Sequence, residues 1–347
     1  MNQVTAILIG AGARGQIYAR YAQEHPEELR IIAVAEPKAD RRALMCRAYG
    51  IPADRAFSNW EDLLARPQMA DAALICTLDD MHTEPTLAAL KQGYHVLLEK
   101  PMSNSETECR AIAAAAEEAQ RVLSVCHVLR YTPFYRTIKQ LIDDGQVGEV
   151  ASLSQVENVG YWHHAHSFVR GNWRCSEQTS PMILQKSCHD MDILLWLSGQ
   201  RCTRVSSFGS LHHFDAAHAP QDAPLRCTDG CPHSVVCPYD AGKIYLTDNV
   251  GWPTDMLTTD LSREGRLKAL REGPYGRCVY HCDNDVVDRQ VVNLEFDNGA
   301  VAGFTMTAFT TDMARQLKVC GTKGQITADM NANTVSLHRI GAVSYTH

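Results

Sequence analysis

Short apolar runs alternate with longer amphipathic stretches through the first part of the chain. The runs at 4–9, 31–35, 72–76, 95–101 and 122–128 are short and largely apolar, as expected for parallel strands buried on both faces. Helical patterns at 15–25, 83–93 and 105–120 separate them. This alternation predicts an α/β domain with a doubly wound parallel sheet, whose ligands bind beyond the carboxyl ends of the strands.

The pattern changes near residue 150. Segments 151–159, 286–296 and 300–309 alternate apolar and polar residues like half-buried strands. Asp297-Asn298-Gly299 is a strong hairpin signal, and 321–324 predicts a second short hairpin. We therefore predict one domain over 1–150 and a second domain over 151–347.

Composition excludes several classes of protein. The 347 residues carry a formal charge of −7 and no block of Lys and Arg, which argues against a nucleic-acid partner. The N-terminal residues lack the pattern of a secretory signal, and no apolar run is long enough to span a membrane. We expect a cytoplasmic protein with no membrane partner, in which the thirteen cysteines are mostly reduced.

A glycine-rich turn follows the first strand and opens the first helix. In a dinucleotide-binding turn, Gly10 permits the tight bend, Gly12 admits a pyrophosphate, and Gly15 lets helix and strand pack closely. Glu36 ends the second strand, where a carboxylate binds the adenosine ribose hydroxyls and disfavours a 2′-phosphate. The context predicts NAD rather than NADP, although a glycine turn without a ligand is the alternative. The predicted contacts here are Gly10, Gly12, Ala13, Arg14, Gly15 and Glu36.

Polar residues at later strand ends carry a family resemblance. Together with the glycine turn, His82 and above all Glu99-Lys100-Pro101 resemble the Gfo/Idh/MocA family of nicotinamide-dependent sugar oxidoreductases. The resemblance implies a Rossmann domain and an α+β domain with a large, mostly antiparallel sheet. It also implies a substrate pocket between the two and a homodimer or homotetramer.

The resemblance also implies roles for these strand-end residues. Lys100 would contact the substrate hydroxyl and the nicotinamide ribose, and the following Pro101 would be cis. Thr77, His82 and Glu99 would complete the cofactor site. The alternative for Lys100 is an ordinary surface lysine at the end of a strand.

The segment SPMILQKSCHDMD at 180–192 places polar residues on an apolar helix. The family has an Asp-x-x-x-His pair here, which aligns His189 with the histidine and puts Gln185 where the aspartate is expected. On one continuous helix, Gln185 and Lys186 flank His189 on the same side. We predict His189 as general base, with Lys100 and Lys186 holding the developing alkoxide. The alternative is a packed His189 paired with Asp192.

The loop at 160–175 is rich in aromatic and basic residues, which stack on sugars and bond their hydroxyls. Packing of its tryptophans against the protein is an equal alternative. The predicted substrate-binding residues are Lys100, His127, Trp162, His164, Arg170, Trp173, Gln185 and His189.

A cysteine-rich insertion spans about 225–285. Cys227, Cys231 and Cys237 have spacing compatible with a structural zinc site, and Cys278 and Cys282 follow later. A reduced cluster without metal is the alternative.

These features predict an NAD-dependent dehydrogenase that oxidises a hydroxyl of a sugar, a polyol or a sugar derivative. A second hypothesis is an NAD-dependent glycoside hydrolase that oxidises its sugar transiently, eliminates the aglycone, adds water and reduces the sugar again. A third is a regulatory protein that binds the cofactor without catalysis.

Overall fold

The computed structural model describes residues 3–341, in two compact units, one ending at Cys126 and the next beginning at His127. The division falls earlier than the predicted boundary at 150. The reason is packing: Phe134, Tyr135 and Ile138 are buried in the core of the second unit.

The first unit alternates strands and helices. Its strands are β1 (Val4–Ile9), β2 (Leu29–Ala35), β3 (Ala56–Phe57), β4 (Ala72–Ile75), β5 (His95–Leu98) and β6 (Leu123–Val125). Its helices are α1 (Ala13–Glu24), α2 (Ala39–Tyr49), α3 (Trp60–Leu64), α4 (Thr83–Gln92) and α5 (Glu106–Glu118).

The strands form one parallel sheet in the order β3-β2-β1-β4-β5-β6. On β1, Ala6 and Leu8 belong to one hydrophobic cluster, while Ile7 and Ile9 belong to another. Both faces of the sheet are therefore buried, which confirms the predicted doubly wound α/β fold.

The second unit combines a large sheet with helices and a long insertion. Its strands are β7 (Val150–Asn158), β8 (Cys202–Ser210), β9 (Arg289–Phe296), β10 (Val301–Thr307), β11 (Ala314–Gly321), β12 (Gly324–Asp329) and β13 (Thr334–Arg339). Its helices are α6 (Pro133–Asp143), α7 (Tyr161–His164), α8 (Met182–Gln185), α9 (Cys188–Ser198), α10 (Ala241–Tyr245) and α11 (Arg263–Glu272).

The sheet order is β13-β12-β11-β7-β10-β9-β8, antiparallel except for the parallel pair β7 and β10. One face packs on α6 and α9 through residues such as Leu153, Phe304 and Leu317. Strand β8 is exposed, including Phe208 at 76 %. The predicted mostly antiparallel α+β architecture is confirmed.

Residues 211–288 connect β8 to β9 and contain the cysteine-rich insertion. Helices α10 and α11 and several short turns are its regular structure. Across residues 3–341, the structure has no helix that combines the length and apolar character needed to cross a bilayer.

Candidate functional site

The glycine turn after β1 has the geometry of a nucleotide-binding loop. Gly10 has a φ of +88°, and a Cβ there would lie 2.6 Å from the carbonyl oxygen of Cys76. A Cβ on Gly15 would lie 2.1 Å from the carbonyl oxygen of Gly10. Both positions therefore require glycine for the turn itself.

Gly12 differs from the other two glycines because the protein leaves open space where its Cβ would be. The nearest protein atom to a Cβ there is Nη1 of Arg41, at 3.9 Å. Gly12 is the N-cap of α1, makes no side-chain cap bond, and is followed by no acidic residue in the first turn. The free N–H groups and the helix dipole suit a pyrophosphate, so these residues fit the predicted dinucleotide.

Glu36 closes the loop from the end of β2. Its Oε2 accepts a hydrogen bond from the N–H of Ala11 at 2.8 Å, and Oε1 accepts one from the N–H of Lys38 at 3.0 Å. The side chain is 5 % exposed. The carboxylate thus lies at the loop where the sequence places the ribose contact.

Glu99 organises the start of the Lys100 segment. Its Oε2 accepts the N–H of Lys100 at 2.7 Å, while Oε1 accepts from Nε of Arg14 at 2.7 Å and from the hydroxyl of Tyr18 at 2.5 Å. Burial and the Glu99 charge raise the pKa of the Tyr18 phenol. The Lys100–Pro101 peptide is cis, as the family resemblance implied. Tyr18 was missed by the sequence reasoning because nothing in its helical pattern marks it.

His82 ties the loop after β4 to the loop after β5. Its Nδ1 lies 2.7 Å from the carbonyl oxygen of Pro101, and Nε2 lies 3.2 Å from that of Thr77. The residue is 1 % exposed. These contacts hold the two loops together, and the predicted cofactor contact of His82 stays a prediction.

In the second unit, His189 on α9 lies near His127. The two ring centroids are 6.1 Å apart, and Nδ1 of His127 is 3.9 Å from Oδ2 of Asp192. Arg130 holds Asp192 in a bidentate ion pair at 2.7 and 2.6 Å. Arg130 is thus a bidentate partner of Asp192, and both readings of His189, as a base and as a packed partner of Asp192, stay predictions.

The predicted continuous helix at 182–192 is interrupted. Helix α8 ends at Gln185 and α9 begins at Cys188, so Lys186 lies in the turn between them. Gln185 is buried, and its predicted substrate contact stays a prediction.

Lys186 belongs to a buried ionic network that the sequence did not reveal. Its Nζ lies 3.2 Å from Oε1 of Glu157, whose Oε2 lies 2.7 Å from Nε of Arg315. Arg315 also binds Asp190 at 2.8 Å, and Gln155 donates to the same carboxylate. Two cations thus face two carboxylates.

Burial shifts the pKa values of this network in opposite directions. It lowers the pKa of Lys186, partly offset by Glu157, and raises the pKa of Glu157, partly offset by Arg315. The Lys186 side chain remains 16 % exposed. A lysine in this state can hold a developing negative charge and can exchange a proton more readily than a surface lysine.

An aromatic group adjoins this network. Burial and the charge of Lys186 lower the pKa of His163, whose ring centroid is 5.0 Å from that of Trp252. Trp162 and Trp252 have ring centroids 5.2 Å apart, and Trp252 is 38 % exposed. Trp252 was missed because it comes from the insertion, far along the chain from Trp162.

Two predicted substrate ligands are internal instead. Arg170 is fully buried, and it donates from Nε to the carbonyl of Arg277 and from Nη2 to that of Tyr239, both at 2.7 Å. His164 is 1 % exposed and stacks on Phe214, and burial lowers its pKa to about 3. Both predictions are wrong, because these side chains point into the protein.

Trp173 also favours the packing alternative. It lies against the main core of the second unit, and its ring centroid is 6.4 Å from that of Phe168. Trp162 and His127 remain predicted substrate contacts.

The three cysteines predicted to bind zinc line a common cavity, but they do not form a compact site by themselves. Among residues 3–341, the one group of three or more ligating side chains with all ligand atoms within 4.8 Å is the surface set of His25, Glu27 and Glu28. A fourth cysteine, Cys278, also lines the cavity of Cys227, Cys231 and Cys237.

The fold and the loop define the class of protein: a dinucleotide-binding Rossmann domain joined to an α+β domain. The oxidoreductase family GFO/IDH/MocA, described by its NAD-binding Rossmann fold, matches residues 4–127, and the C-terminal domain of the same family matches residues 135–327. The chain belongs to this family.

Relatives within the family vary in their closeness to this chain. YteT of Bacillus subtilis (strain 168) is 25 % identical over 272 residues, covering 76 % of this chain and 61 % of that protein. Inositol 2-dehydrogenase of Pseudomonas savastanoi pv. phaseolicola is 30 % identical over 193 residues, covering 55 % and 53 %. The chain thus spans about half to three fifths of the length of these curated relatives.

Solved structures share the fold over nearly the whole chain. A levoglucosan dehydrogenase in complex with NADH and L-sorbose aligns with a TM-score of 0.71 at 18 % identity, covering 99 % of this chain and 78 % of that one. The WlbA dehydrogenase of Bordetella pertussis, in complex with NADH and UDP-GlcNAcA, aligns at 0.68 and 16 % identity, covering 98 % and 84 %.

Proposed function

We propose that the protein is an NAD-dependent dehydrogenase that oxidises a hydroxyl of a sugar, a polyol or a sugar derivative. The observation that carries the proposal is the open backbone at Gly12 beside the anchored carboxylate of Glu36, in a chain of this family. The curated inositol 2-dehydrogenases and the NADH-bound structural neighbours support the same class of substrate and cofactor.

The first unit would supply the cofactor contacts. The N–H groups at the start of α1 would bind the pyrophosphate, and Glu36 would accept hydrogen bonds from the adenosine ribose. The nicotinamide, when bound, supplies the acceptor for a hydride. Lys100, held through its N–H by Glu99, would orient the ribose and the substrate oxygen.

The second unit would supply the acid–base chemistry. Nδ1 of His189 is buried, so we assign Nε2 as the nitrogen that takes the hydroxyl proton. His189 would thereby hold the proton that the alcohol releases as it is oxidised to a carbonyl. Lys186, positioned by Glu157, would stabilise the alkoxide as it forms.

Cofactor preference provides a first test. We expect the full chain to bind NAD more tightly than NADP, and Glu36→Gln to reduce that preference because the negative charge near the 2′-position is lost. Isothermal titration of both nucleotides measures the ratio. An unchanged ratio in Glu36→Gln would remove Glu36 from the ribose site.

Turnover provides the second test. The full chain is incubated with NAD and a panel of inositols, free sugars, sugar acids and aryl glycosides, and NADH is followed by absorbance. We expect net NADH from a polyol or free sugar, and a fall of about 10²–10⁴ in kcat for His189→Asn with unchanged NAD affinity. His338→Asn, on β13, is the matched control.

Other outcomes would replace the proposal. Aglycone release without net NADH would indicate the glycoside hydrolase, and nucleotide binding without turnover on any substrate would indicate a regulatory protein. No observation in residues 3–341 favours either over the dehydrogenase.

We also propose a homodimer or homotetramer. The support is an exposed apolar pair on one face of the sheet, formed by Phe208 of β8, at 76 %, and Val291 opposite it on β9, at 42 %. Contact with a second copy of the chain would remove this pair from water. Light scattering after gel filtration tests this, and a monomer at all concentrations would contradict it.

A further inference from the structure

The insertion at 211–288 is a long segment with little regular structure. It contains helices α10 and α11, a hydrophobic cluster around Ala241, Tyr245 and Leu270, and a larger cluster that includes Phe214, Tyr239 and Tyr280. Ordering such a segment costs conformational entropy. Small or loop-rich regions of this kind are commonly held by a disulfide or a structural metal.

Four cysteines from two parts of the insertion surround one small cavity. Its volume is about 20 Å³, room for a single ion or water. The cysteines that line it are Cys227, Cys231, Cys237 and Cys278. All are free thiols. The fifth cysteine, Cys282, does not line the cavity, and its Sγ lies 3.2 Å from the carbonyl oxygen of Cys278.

Backbone pairing brings the two parts together. Arg226 and Arg277 form an isolated antiparallel bridge, in which Cys227 donates to the carbonyl of Gly276 and Cys278 to that of Leu225, both at 2.9 Å. Cys227 and Cys278 are therefore held beside each other although they are far apart in the sequence.

A buried arginine completes the electrostatics. Arg170 lines the cavity, is fully buried, and places Nη2 3.6 Å from Sγ of Cys227, while its Nη1 is buried without a hydrogen-bond partner. Asp240 also lines the cavity, but its Oδ1 caps α10, where it accepts hydrogen bonds from the N–H groups of Gly242 and Lys243. Burying a charge without an opposite charge nearby costs free energy, so negative charge on the sulfurs would stabilise the buried guanidinium.

We propose that Cys227, Cys231, Cys237 and Cys278 bind one divalent metal ion of the zinc class, which holds the insertion together. Four thiolates and a divalent cation carry a net charge of −2, which Arg170 partly balances through its N–H contact with Cys227. The site is structural, since all four positions of a tetrahedral ion are taken by protein. The proposed metal site is separate from the proposed dehydrogenase activity and does not depend on that activity.

Metal binding requires the four sulfurs to move closer together. No three of their sulfurs all lie within 4.8 Å of one another, whereas Zn–S bonds of about 2.3 Å imply sulfurs about 3.8 Å apart in a tetrahedron. Cys231 lies in an irregular loop that follows Gly230, whose φ is +77°. This loop can move without disrupting a helix or strand.

The first experiment is metal analysis of the purified full chain by inductively coupled plasma mass spectrometry. We expect about one equivalent of zinc. After chelation, the protein should take up one equivalent of Co²⁺ and develop the intense thiolate-to-cobalt charge transfer and d–d bands of a tetrahedral thiolate site. This measurement on the unmutated chain stands even if variants fold poorly.

The second experiment compares matched cysteine variants. Cys237→Ser and Cys278→Ser should lose the metal, whereas Cys282→Ser, from the same insertion, should retain it. Four results would each overturn the proposal: free thiols with no metal uptake, a disulfide between these cysteines, iron with acid-labile sulfide, or full metal retention in Cys278→Ser.

Discussion

Removal of Arg315 tests the buried ionic network that positions Lys186. Arg315→Met keeps most of the side-chain volume but removes the guanidinium that contacts Glu157 at 2.7 Å and Asp190 at 2.8 Å. Both carboxylates are at most 1 % exposed, so neither can be solvated in place. Lys186 is then the one remaining cation of the network for two buried acids.

The expected loss of stability is large. Breaking a buried pair by removing one partner costs about 3–5 kcal/mol, because an uncompensated buried charge remains. For a unit of roughly 200 residues, each kcal/mol shifts the unfolding midpoint by about 2–4 °C, so we expect a fall of about 6–20 °C. Differential scanning calorimetry of the full chain measures the transition.

The size of the effect should depend on pH with a definite sign. Burial already raises the pKa of Glu157, and without the opposing charge of Arg315 its folded-state pKa lies further above the unfolded value. The variant therefore binds more protons when folded than when unfolded, and it loses stability relative to the parent as pH rises from about 5 to about 8. Adding Asp190→Asn to Arg315→Met should restore part of the loss.

Arg204→Met is the matched control. Arg204 pairs with Glu295 at 3.1 Å, but the two side chains are 80 % and 46 % exposed. Such a surface pair is worth at most about 1 kcal/mol, so its midpoint should move by no more than about 2–4 °C. Equal shifts in the two variants would refute the assignment of a structural role to the buried network.

Two further predictions concern the cofactor loop and acid stability. Gly15→Ala should lower both the unfolding midpoint and NAD affinity, because its Cβ would lie 2.1 Å from the carbonyl oxygen of Gly10. Gly12→Ala should lower NAD affinity alone, because the surrounding protein atoms leave room for its Cβ. Calorimetry with and without NAD separates the two, and equal loss of stability in both variants would contradict the assignment. The second unit should lose stability as pH falls from 6.5 towards 3, because burial lowers the folded-state pKa of His164 and His166 to about 3 and the unfolded chain binds those protons first. His164→Phe should reduce the slope by about 1.4 kcal/mol per pH unit in that window, measured by urea unfolding, and an unchanged slope would contradict it.

Much of the first unit could be predicted because its signals are local. Strand β1 spans the predicted residues 4–9, and the turn residues Gly10 and Gly15 have the tight contacts expected of them. Strand β3 was missed because its two residues form no apolar run. The fold class was predicted correctly for both units.

In the second unit, the partners of buried charged residues could not be predicted from the local sequence. Glu157 falls within the alternating pattern of β7, between buried positions, and such an inward-facing acid was a signal that a buried partner exists. The identity of that partner was not in the pattern, since Arg315 comes from β11. Similarly, an arginine in a polar loop reads as a ligand, but Arg170 turned out to be internal.

The sequence by itself determined the parallel sheet and the nucleotide loop, because a turn, a helix start and a strand end are set by neighbouring residues. The tertiary structure decided which charges meet. It paired Lys186 with Glu157, buried Arg170 beside Cys227, and added Cys278 to the other three cysteines. These contacts depend on burial and on chain segments far apart in sequence. A buried charge without a partner costs far more free energy than a surface charge without one, so burial decides which charges must pair.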